Sequence, residues 1–255
     1  MPTLREVEVH LLPELADPAR FAGCTAIVID VLRASTTMVY ALAAECRAIF
    51  PCVEIDEARH LADQFPKERV LLAGERHGKK IAGFDLGNSP LEFTPAQCRG
   101  KNIVMTTSNG TRALHRAGQA ARILLAGFVN FSAVCEQLRP EKRPVHILCA
   151  GTEGAVTLED TLLAGGFVDF LSERCDARLN DSARLAWDCF ENNRGAVAEA
   201  LEISLGGAIL QRLGYHEDIR IAGQLDKFNL VPEVRRNPVR VEIGAVGFAE
   251  TYWKR

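Results

Sequence analysis

The sequence of 255 residues has no apolar run long enough to cross a membrane and no pair of cysteines spaced Cys-x-x-Cys. A membrane-spanning helix needs about 18 or more consecutive apolar residues, so we expect no membrane partner. The eight cysteines are scattered, and we interpret them as buried, reduced thiols. Their spacing also does not provide the clustered ligands of a zinc site.

The chain also lacks an excess of positive charge. Thirty Lys and Arg residues face 33 Asp and Glu residues, and the formal net charge is −3. Because a protein that binds the nucleic-acid backbone normally has a basic face, we expect no nucleic-acid partner. The first fifteen residues have no apolar core and no small-residue cleavage site of the kind found in signal peptides, so we expect a cytoplasmic protein.

What the first half does contain is an alternation of apolar runs and helical patterns. Runs that read as strands cover residues 7–12, 26–29, 48–53, 70–73, 102–106, 123–126 and 145–150. Helical patterns between them cover residues 35–45, 55–65, 110–117 and 130–138. Continuously apolar strands are typical of sheets covered by helices on both faces. This alternation predicts a three-layer α/β/α fold with a largely parallel or mixed sheet.

The second half is richer in helical patterns. These cover residues 158–173, 182–192 and 196–213, and an extended segment with two prolines follows at 228–244. We therefore expect one compact unit, with the alternative of two packed lobes, 1–142 and a helix-richer α/β lobe at 143–255. No internal repeat is visible.

Polar clusters follow the predicted strands, where ligands bind in open α/β sheets. In the first cluster, residues 30–37, Asp30 comes directly after a strand and is a hard oxygen ligand suited to Mg²⁺. Ser35 can cap the next helix, and Arg33 beside a helix start favours an anion. A plain turn with a helix cap would explain the same residues.

The second cluster covers residues 74–76 and 83–90. Glu75 and Asp85 add carboxylates, and Arg76 adds a planar donor for phosphate or sulfonate oxygens. The alternative is a surface loop with a salt bridge. Gly74–Lys79 is not a phosphate-binding P-loop, because its glycine spacing is one residue short and Lys80 follows where serine or threonine is required.

Two further clusters follow later strands. Residues 106–112 combine small polar side chains with a glycine, which lets backbone N–H groups converge on an anion. After residues 149–154, Glu159 and Asp160 open a helix and could ligate a metal or transfer a proton. Carboxylates are favoured at helix starts in any case, and polar turns before helices are common.

Acids, arginines and helix starts together are what a metal-dependent phosphatase needs. Three other phosphatase types do not fit. Asp30 is not part of an Asp-x-Asp motif, Cys149 has no arginine at the required spacing, and no Arg-His-Gly motif occurs. The six histidines are dispersed, and we assign none of them a catalytic role.

The ordered motifs Asp-Val-Leu-Arg-Ala-Ser-Thr-Thr (30–37), Gly-Glu-Arg (74–76), Phe-Asp-Leu-Gly-Asn-Ser-Pro (84–90), Thr-Thr-Ser-Asn-Gly-Thr (106–111) and Leu-Glu-Asp-Thr (158–161) carry a family resemblance. From about residue 26 to 234 the chain resembles the 2-phosphosulfolactate phosphatase family. The resemblance implies magnesium-dependent hydrolysis of 2-phosphosulfolactate, a small multiply anionic phosphate ester, to sulfolactate and phosphate. In methanogens that reaction belongs to coenzyme M biosynthesis.

The motifs supply candidate residues for each role. The candidate catalytic carboxylates are Asp30, Asp85, Glu159 and Asp160. The candidate Mg²⁺ ligands are Asp30, Glu75, Asp85 and Glu159. The candidate substrate-binding residues are Arg33, Ser35, Thr36, Arg76, Asn88, Ser89, Ser108, Asn109, Gly110 and Thr111.

Three alternatives stay open at this point. The chain could act on another phosphorylated hydroxy acid, or it could bind anions without catalysis. A nucleotide-binding oxidoreductase is the weakest alternative, because no Gly-x-Gly-x-x-Gly follows a strand. A homodimer is compatible with the sequence, although no segment marks an interface.

Overall fold

The computed structural model describes residues 5–173, 177–244 and 252–253, and it is built around one mixed sheet of eleven strands. The strands are β1 (Arg5–His10), β2 (Thr25–Ile29), β3 (Ala48–Cys52), β4 (Val70–Arg76), β5 (Lys79–Lys80), β6 (Asn102–Thr106), β7 (Arg122–Ala126), β8 (Val145–Cys149), β9 (Ala177–Leu179), β10 (Pro232–Arg235) and β11 (Arg240–Ile243). Their order across the sheet is β5-β4-β6-β3-β11-β10-β7-β2-β8-β1-β9.

Helices cover the sheet on both faces, which confirms the predicted α/β/α class. They are α1 (Ala34–Ala43), α2 (Ile55–Ala62), α3 (Pro95–Cys98), α4 (Gly110–Arg116), α5 (Phe131–Leu138), α6 (Leu158–Ser172), α7 (Asp181–Asn193), α8 (Val197–Ile203), α9 (Leu205–Arg212) and α10 (His216–Ala222). Short 3₁₀ helices lie at Pro13–Leu15, Pro18–Phe21, Lys67–Arg69, Pro90–Glu92 and Phe128–Asn130.

The sheet consists of two parallel groups joined by an antiparallel hairpin. Strands β4, β6 and β3 form one group, and β7, β2, β8, β1 and β9 form the other. The short strand β5 is antiparallel to β4 at one edge of the sheet. The hairpin strands β10 and β11 are antiparallel to each other, and each is antiparallel to its outer neighbour. The two groups therefore run in opposite directions. Each strand is rotated relative to its neighbour, and this twist adds up to roughly 100° over the five steps from β6 to β2. The strands of the two groups therefore cross at a large angle and are not simply antiparallel.

Side chains on successive residues of β2 enter different cores, because strand side chains alternate between faces. Ile27 and Ile29 pack with α6 and α7, whereas Ala26 and Val28 pack with α1 and α4. Every residue of β2 is buried. The continuously apolar run at residues 26–29 thus follows from the helices that cover both faces of this strand.

One predicted helix is wrong. The pattern at 196–213 is divided into α8 and α9 at Ser204, whose side-chain oxygen accepts a hydrogen bond from Gly207 N at 3.0 Å. This cap satisfies a backbone donor at the start of α9 and lets the chain change direction there. The prediction also missed β5, β9, α3 and α10, which are short and have weak sequence patterns.

Other expectations have mixed outcomes. The extended segment 228–244 contains the β10–β11 hairpin. β8, from the proposed second lobe, lies between β1 and β2 in the sheet, and the division into two lobes stays a prediction. Within the part of the chain that the structure describes, no helix has the length and apolar character to cross a membrane. Among the described residues, Cys24, Cys46, Cys52, Cys98, Cys149 and Cys189 are free thiols, and Cys175 lies outside the described residues.

Candidate functional site

A cavity of about 590 Å³ opens where the turns after β2, β4 and β6 meet the loop after β8 and the start of α9. Seven of the residues predicted from the sequence line it: Asp30, Arg33, Glu75, Arg76, Asn88, Ser108 and Asn109. These residues come from four separate segments of the chain. The predicted convergence of acidic and cationic groups is therefore present in the structure.

Asp30 reaches the cavity from the carboxyl end of β2 and is 7% exposed. Its Oδ1 accepts a hydrogen bond from Ala34 N at 3.0 Å, and its own N–H donates to Ser35 Oγ at 3.0 Å. A β-carbon at Gly110 would lie 2.5 Å from the Ala34 β-carbon and 2.7 Å from Asp30 Oδ2. The start of α4 can therefore approach Asp30 this closely only because residue 110 is glycine.

We expect Gly110→Ala to lower activity at least about tenfold and to destabilise the protein by about 1–3 kcal/mol, because the added methyl group must displace Asp30 or α1. Gly195→Ala is the matched control, since a β-carbon there has no neighbour within 4 Å. Steady-state kinetics and denaturant unfolding would measure both effects. Equal behaviour of the two variants would show that the close approach of α4 is unimportant.

Two more buried carboxylates, Glu159 and Asp160, interact electrostatically with Asp30 but are not among the residues that line the cavity. Asp160 Oδ1 accepts from Val31 N at 2.9 Å and its Oδ2 from Gly151 N at 3.0 Å, so it ties the β2–α1 turn to the β8–α6 loop. Glu159 is 1% exposed, and its Oε2 has no hydrogen-bond partner among the described residues. Burying a carboxylate oxygen without a hydrogen-bond partner costs free energy of folding, so this oxygen points to a bound ligand that supplies the missing interaction.

Burial of the three acids changes their protonation. Burial and the nearby Asp160 carboxylate raise the pKa of Asp30 to about 8. Burial raises the pKa of Glu159 to about 7, and burial with the Glu159 charge raises the pKa of Asp160 to about 7. In the absence of a cation these carboxyl groups therefore retain protons near neutral pH, and a bound divalent cation would favour their ionised forms.

The donor set fits Mg²⁺. In the described part of the chain these acids do not form a closed cage of three ligand atoms within 4.8 Å of one another. Mg²⁺ does not need such a cage, because it usually keeps several waters and binds one or two carboxylates together with substrate phosphate. Asp30 Oδ2 and the unpartnered Glu159 Oε2 are oxygens of that kind.

Arg33 is a buried cation held in place on several sides. Its Nη1 donates to Asp218 Oδ2 at 2.8 Å, its Nη2 donates to Gly78 O at 2.8 Å, and its guanidinium carbon lies 4.4 Å from the centre of the Tyr215 ring. Ser89 Oγ donates to the other Asp218 oxygen at 2.6 Å. Asp218 lies on α10, which the sequence did not predict, so its role was missed.

Two further arginines line the cavity. Arg76 is oriented by hydrogen bonds from Nη2 to Val53 O and to Thr106 Oγ1, both at 2.9 Å. Arg112 has an exposed side chain at the same cavity. Arg112 is the last residue of the polar motif 106–112. The sequence-based prediction did not include it among the site residues, although its place in that motif could have indicated it.

Glu75 joins two turns at the cavity. Its Oε1 accepts from Ser108 N at 2.7 Å, and its Oε2 accepts from Gly78 N at 2.7 Å and from Ser108 Oγ at 3.3 Å. Both oxygens are therefore occupied by the protein itself. This arrangement favours a positioning role for Glu75 over the predicted metal ligation.

Several predicted binding residues support the site without lining the cavity. Ser35 Oγ donates to Val28 O at 3.4 Å and Thr36 Oγ1 to Val31 O at 2.8 Å, so both hydroxyls stabilise the β2–α1 turn. Thr111 Oγ1 donates to Thr107 O at 3.0 Å. The predicted phosphate-binding segment 108–111 thus presents only Ser108 and Asn109 to the cavity.

The structure does not place Asp85 with the other carboxylates, which corrects the position expected from the sequence. Its exposed side chain accepts a hydrogen bond from Leu72 N at 2.8 Å. The segment after Gly83 pairs with the middle of β4 in parallel, where Leu86 N donates to Leu72 O at 3.0 Å. Asp85 consequently lies beside the middle of β4, away from the carboxyl end that carries Glu75.

Comparison with known proteins agrees with this geometry. A family model described as 2-phosphosulpholactate phosphatase matches residues 10–237. The chain is 36% identical over 214 residues (84% of this chain and 89% of the relative) to a protein of Caldanaerobacter subterraneus subsp. tengcongensis named as a probable 2-phosphosulfolactate phosphatase. Proteins with the same name from Prochlorococcus marinus and Deinococcus radiodurans are each 41% identical, over 84% and 89% of this chain and 90% and 92% of their own lengths. With the match covering every segment that lines the cavity, the chain belongs to the 2-phosphosulfolactate phosphatase family.

Proposed function

We propose that this protein hydrolyses 2-phosphosulfolactate to sulfolactate and phosphate, with Mg²⁺ as cofactor. The observation that carries the proposal is the buried carboxyl group of Asp30 in a cavity lined by Arg33, Arg76 and Arg112. The names of the relatives support the choice of substrate.

The arginines suit the charge of this substrate, which carries a phosphate, a carboxylate and a sulfonate. A guanidinium group binds each of these oxyanions through paired, directional N–H donors. Arg33 and Arg76 are already held by Asp218, Gly78, Val53 and Thr106. Donors fixed in advance need little reorganisation as charge develops on the phosphoryl group.

Hydrolysis breaks the bond between phosphorus and the ester oxygen. Water supplies the new oxygen on phosphorus, and a proton must reach the departing alkoxide. The pKa of Asp30 is raised to about 8 in the metal-free protein, and bound Mg²⁺ would lower it, so the ionised carboxylate would be a base that accepts a proton from the attacking water. As the alternative, the same ionised carboxylate would attack phosphorus directly and form a phosphoenzyme that water then hydrolyses. Trapping a labelled phosphoenzyme separates direct attack by Asp30 from attack by water.

Asp30 and Glu159 would hold the Mg²⁺ ion, through the oxygens identified above. When bound, Mg²⁺ would neutralise phosphoryl oxygens and orient the attacking group. The residues of the chain do the remaining work: Asp160 holds the β2–α1 turn that carries Asp30, and Glu75 holds the turn that carries Ser108.

The direct test is phosphate release from racemic phosphosulfolactate. We expect release in the presence of Mg²⁺, loss of activity with a chelator, and recovery when excess Mg²⁺ is added. Other phosphorylated hydroxy acids that lack the sulfonate should react more slowly, because one arginine would be left without its anion. Thermal stabilisation by the substrate with no phosphate release at any Mg²⁺ concentration would instead indicate a non-catalytic anion-binding protein.

We further propose that the enzyme works in the cytoplasm. Cys24, Cys46 and Cys52 are free thiols in the described part of the chain, and burial raises their pKa to about 12, as suits thiols that stay reduced. The expected homodimer stays a prediction, and size-exclusion chromatography with light scattering would test it.

A further inference from the structure

A second cluster of possible metal ligands lies on the sheet itself, outside the catalytic cavity. Glu8 and His10 are on β1, and His146 is on the neighbouring β8, directly opposite Glu8 in the strand register. The three side chains share one face of the sheet, because residues two apart on a strand point the same way. Phe21, in the 3₁₀ helix Pro18–Phe21, packs against both imidazole rings with centroid distances of 5.2 and 5.6 Å.

The ligand atoms have the separations of a metal coordination shell. His10 Nε2 lies 3.1 Å from His146 Nδ1, and Glu8 Oε2 lies 3.6 and 3.8 Å from these two nitrogens. A tetrahedral ion with ligand bonds of about 2.1 Å separates its ligands by about 3.4 Å. In the described part of the chain this is the only trio of His, Cys, Asp or Glu residues with ligand atoms within 4.8 Å of one another.

Hydrogen bonding alone does not account for this arrangement. One imidazole can donate to the other, but Glu8 Oε2 lies beyond hydrogen-bond distance from both ring nitrogens. The other Glu8 oxygen, Oε1, accepts from Arg20. Glu8, His10 and His146 are 6%, 7% and 4% exposed, so the carboxylate oxygen and the two nitrogens face one another where little water reaches them.

We propose that Glu8, His10 and His146 bind one divalent transition-metal ion of the zinc class. Two imidazoles and one carboxylate are ligands that zinc accepts, and a water would complete the tetrahedron. The two imidazole nitrogens distinguish this site from the cavity, where the acids offer the oxygen ligands that Mg²⁺ prefers. The ion would clamp β1 to β8 and, through the contact of Arg20 with Glu8, to the 3₁₀ helix Pro18–Phe21.

This site is separate from the proposed catalytic centre. His146 lies opposite Ala26 in the register of β8 and β2, four residues before Asp30. At about 3.3 Å per residue, four residues along a strand span roughly 13 Å. The ion is therefore expected to affect stability and to leave Mg²⁺-dependent phosphate release unchanged.

The test begins with chelator-treated, full-length protein to which Zn²⁺ or Co²⁺ is added. We expect one equivalent of tightly bound Zn²⁺ by elemental analysis, visible absorption bands of tetrahedral Co²⁺, and a rise in melting temperature with Zn²⁺ that Mg²⁺ does not reproduce. Wild-type protein that retains no stoichiometric Zn²⁺ and shows no Co²⁺ bands would overturn the proposal without any variant.

Variants then assign the ligands. His10→Asn and the milder Glu8→Gln should weaken Zn²⁺ binding at least about 100-fold and remove the Co²⁺ bands. His60→Asn, at an exposed histidine, and Asp30→Asn, in the cavity, should keep both signals. If Asp30→Asn lost the bound Zn²⁺ while Glu8→Gln kept it, the ion would belong to the cavity and the proposal would be wrong.

Discussion

Replacing Asp30 with asparagine should lower the rate of phosphate release about 10²–10⁴-fold while leaving the fold intact. Asparagine keeps the oxygen that accepts from Ala34 N, so the β2–α1 turn retains its hydrogen bond. It removes the carboxylate that would ligate Mg²⁺ and serve as base or nucleophile. Steady-state phosphate release at saturating Mg²⁺ measures the effect, and circular dichroism confirms the fold.

Asp85→Asn is the matched control. The substitution is chemically identical, and both aspartates stand in motifs that carry the family resemblance. The structure places Asp85 beside β4, exposed and bonded to Leu72 N, so we expect activity within about twofold of wild type and little change in stability. A loss at Asp85 as large as that at Asp30 would contradict the site described above.

Melting temperatures measured over a range of pH would show whether Asp30 carries a titrating carboxyl group in the folded protein. The pKa of Asp30 is raised to about 8 in the folded protein from an ordinary value of 3.8. The folded metal-free protein therefore retains a proton that the unfolded chain releases. The associated stability is fully present below about pH 4 and is lost as pH rises through about 8. We expect the melting temperature of metal-free wild type to fall over this range, and Asp30→Asn to fall less.

Added Mg²⁺ should reverse that trend, because an ionised carboxylate pair is the better ligand. The stabilisation by Mg²⁺ should therefore grow with pH in wild type and be small in Asp30→Asn. Equal stabilisation of the two proteins at every pH would mean that Asp30 is not a ligand.

The second large effect is expected from Asp218→Asn. Asp218 and Arg33 form an ion pair with side chains 2% and 3% exposed. Loss of the negative charge leaves a buried guanidinium uncompensated, which typically costs about 3–5 kcal/mol. Arg33 would also lose part of its fixed orientation at the cavity, so KM should rise. Urea unfolding and KM measurements would show both changes.

Ser89→Ala is the comparison for this experiment. It removes only the hydroxyl that donates to Asp218 Oδ1 and leaves the ion pair with Arg33 intact. We expect a cost of about 1.5–3 kcal/mol and a KM close to wild type. If Asp218→Asn destabilised the protein but left KM unchanged, Arg33 would be a structural residue and not a substrate ligand.

The local pattern of the sequence was enough for most regular elements. Largely apolar runs predicted β2, β6 and β8 to within a residue or two, because strands covered on both faces bury most of their side chains. Helical periodicity predicted α6 and α7 in the same way. The pattern failed at Ser204, where a hydrogen-bonded cap interrupts an otherwise helical segment.

The candidate site was predictable in part. Asp30, which directly follows β2, and Asn109, three residues after β6, both line the cavity, since a strand delivers the residues that follow it to its carboxyl end. Asp85 was not, because the direction of a loop after a turn depends on what it packs against. Asp218 was missed because α10 is short and its partner Arg33 is 185 residues away in the chain.

By itself, then, the sequence determined the α/β class, the main strands and helices, and the acids and arginines available for chemistry, all of which depend on neighbours within one element. Only the tertiary structure decided which of these residues meet. A central hairpin reverses the two halves of the sheet, and strand pairing unites Glu8 and His10 with His146, 136 residues beyond His10. Such contacts arise from long-range pairing and sheet twist, and these leave no periodic signal in the chain.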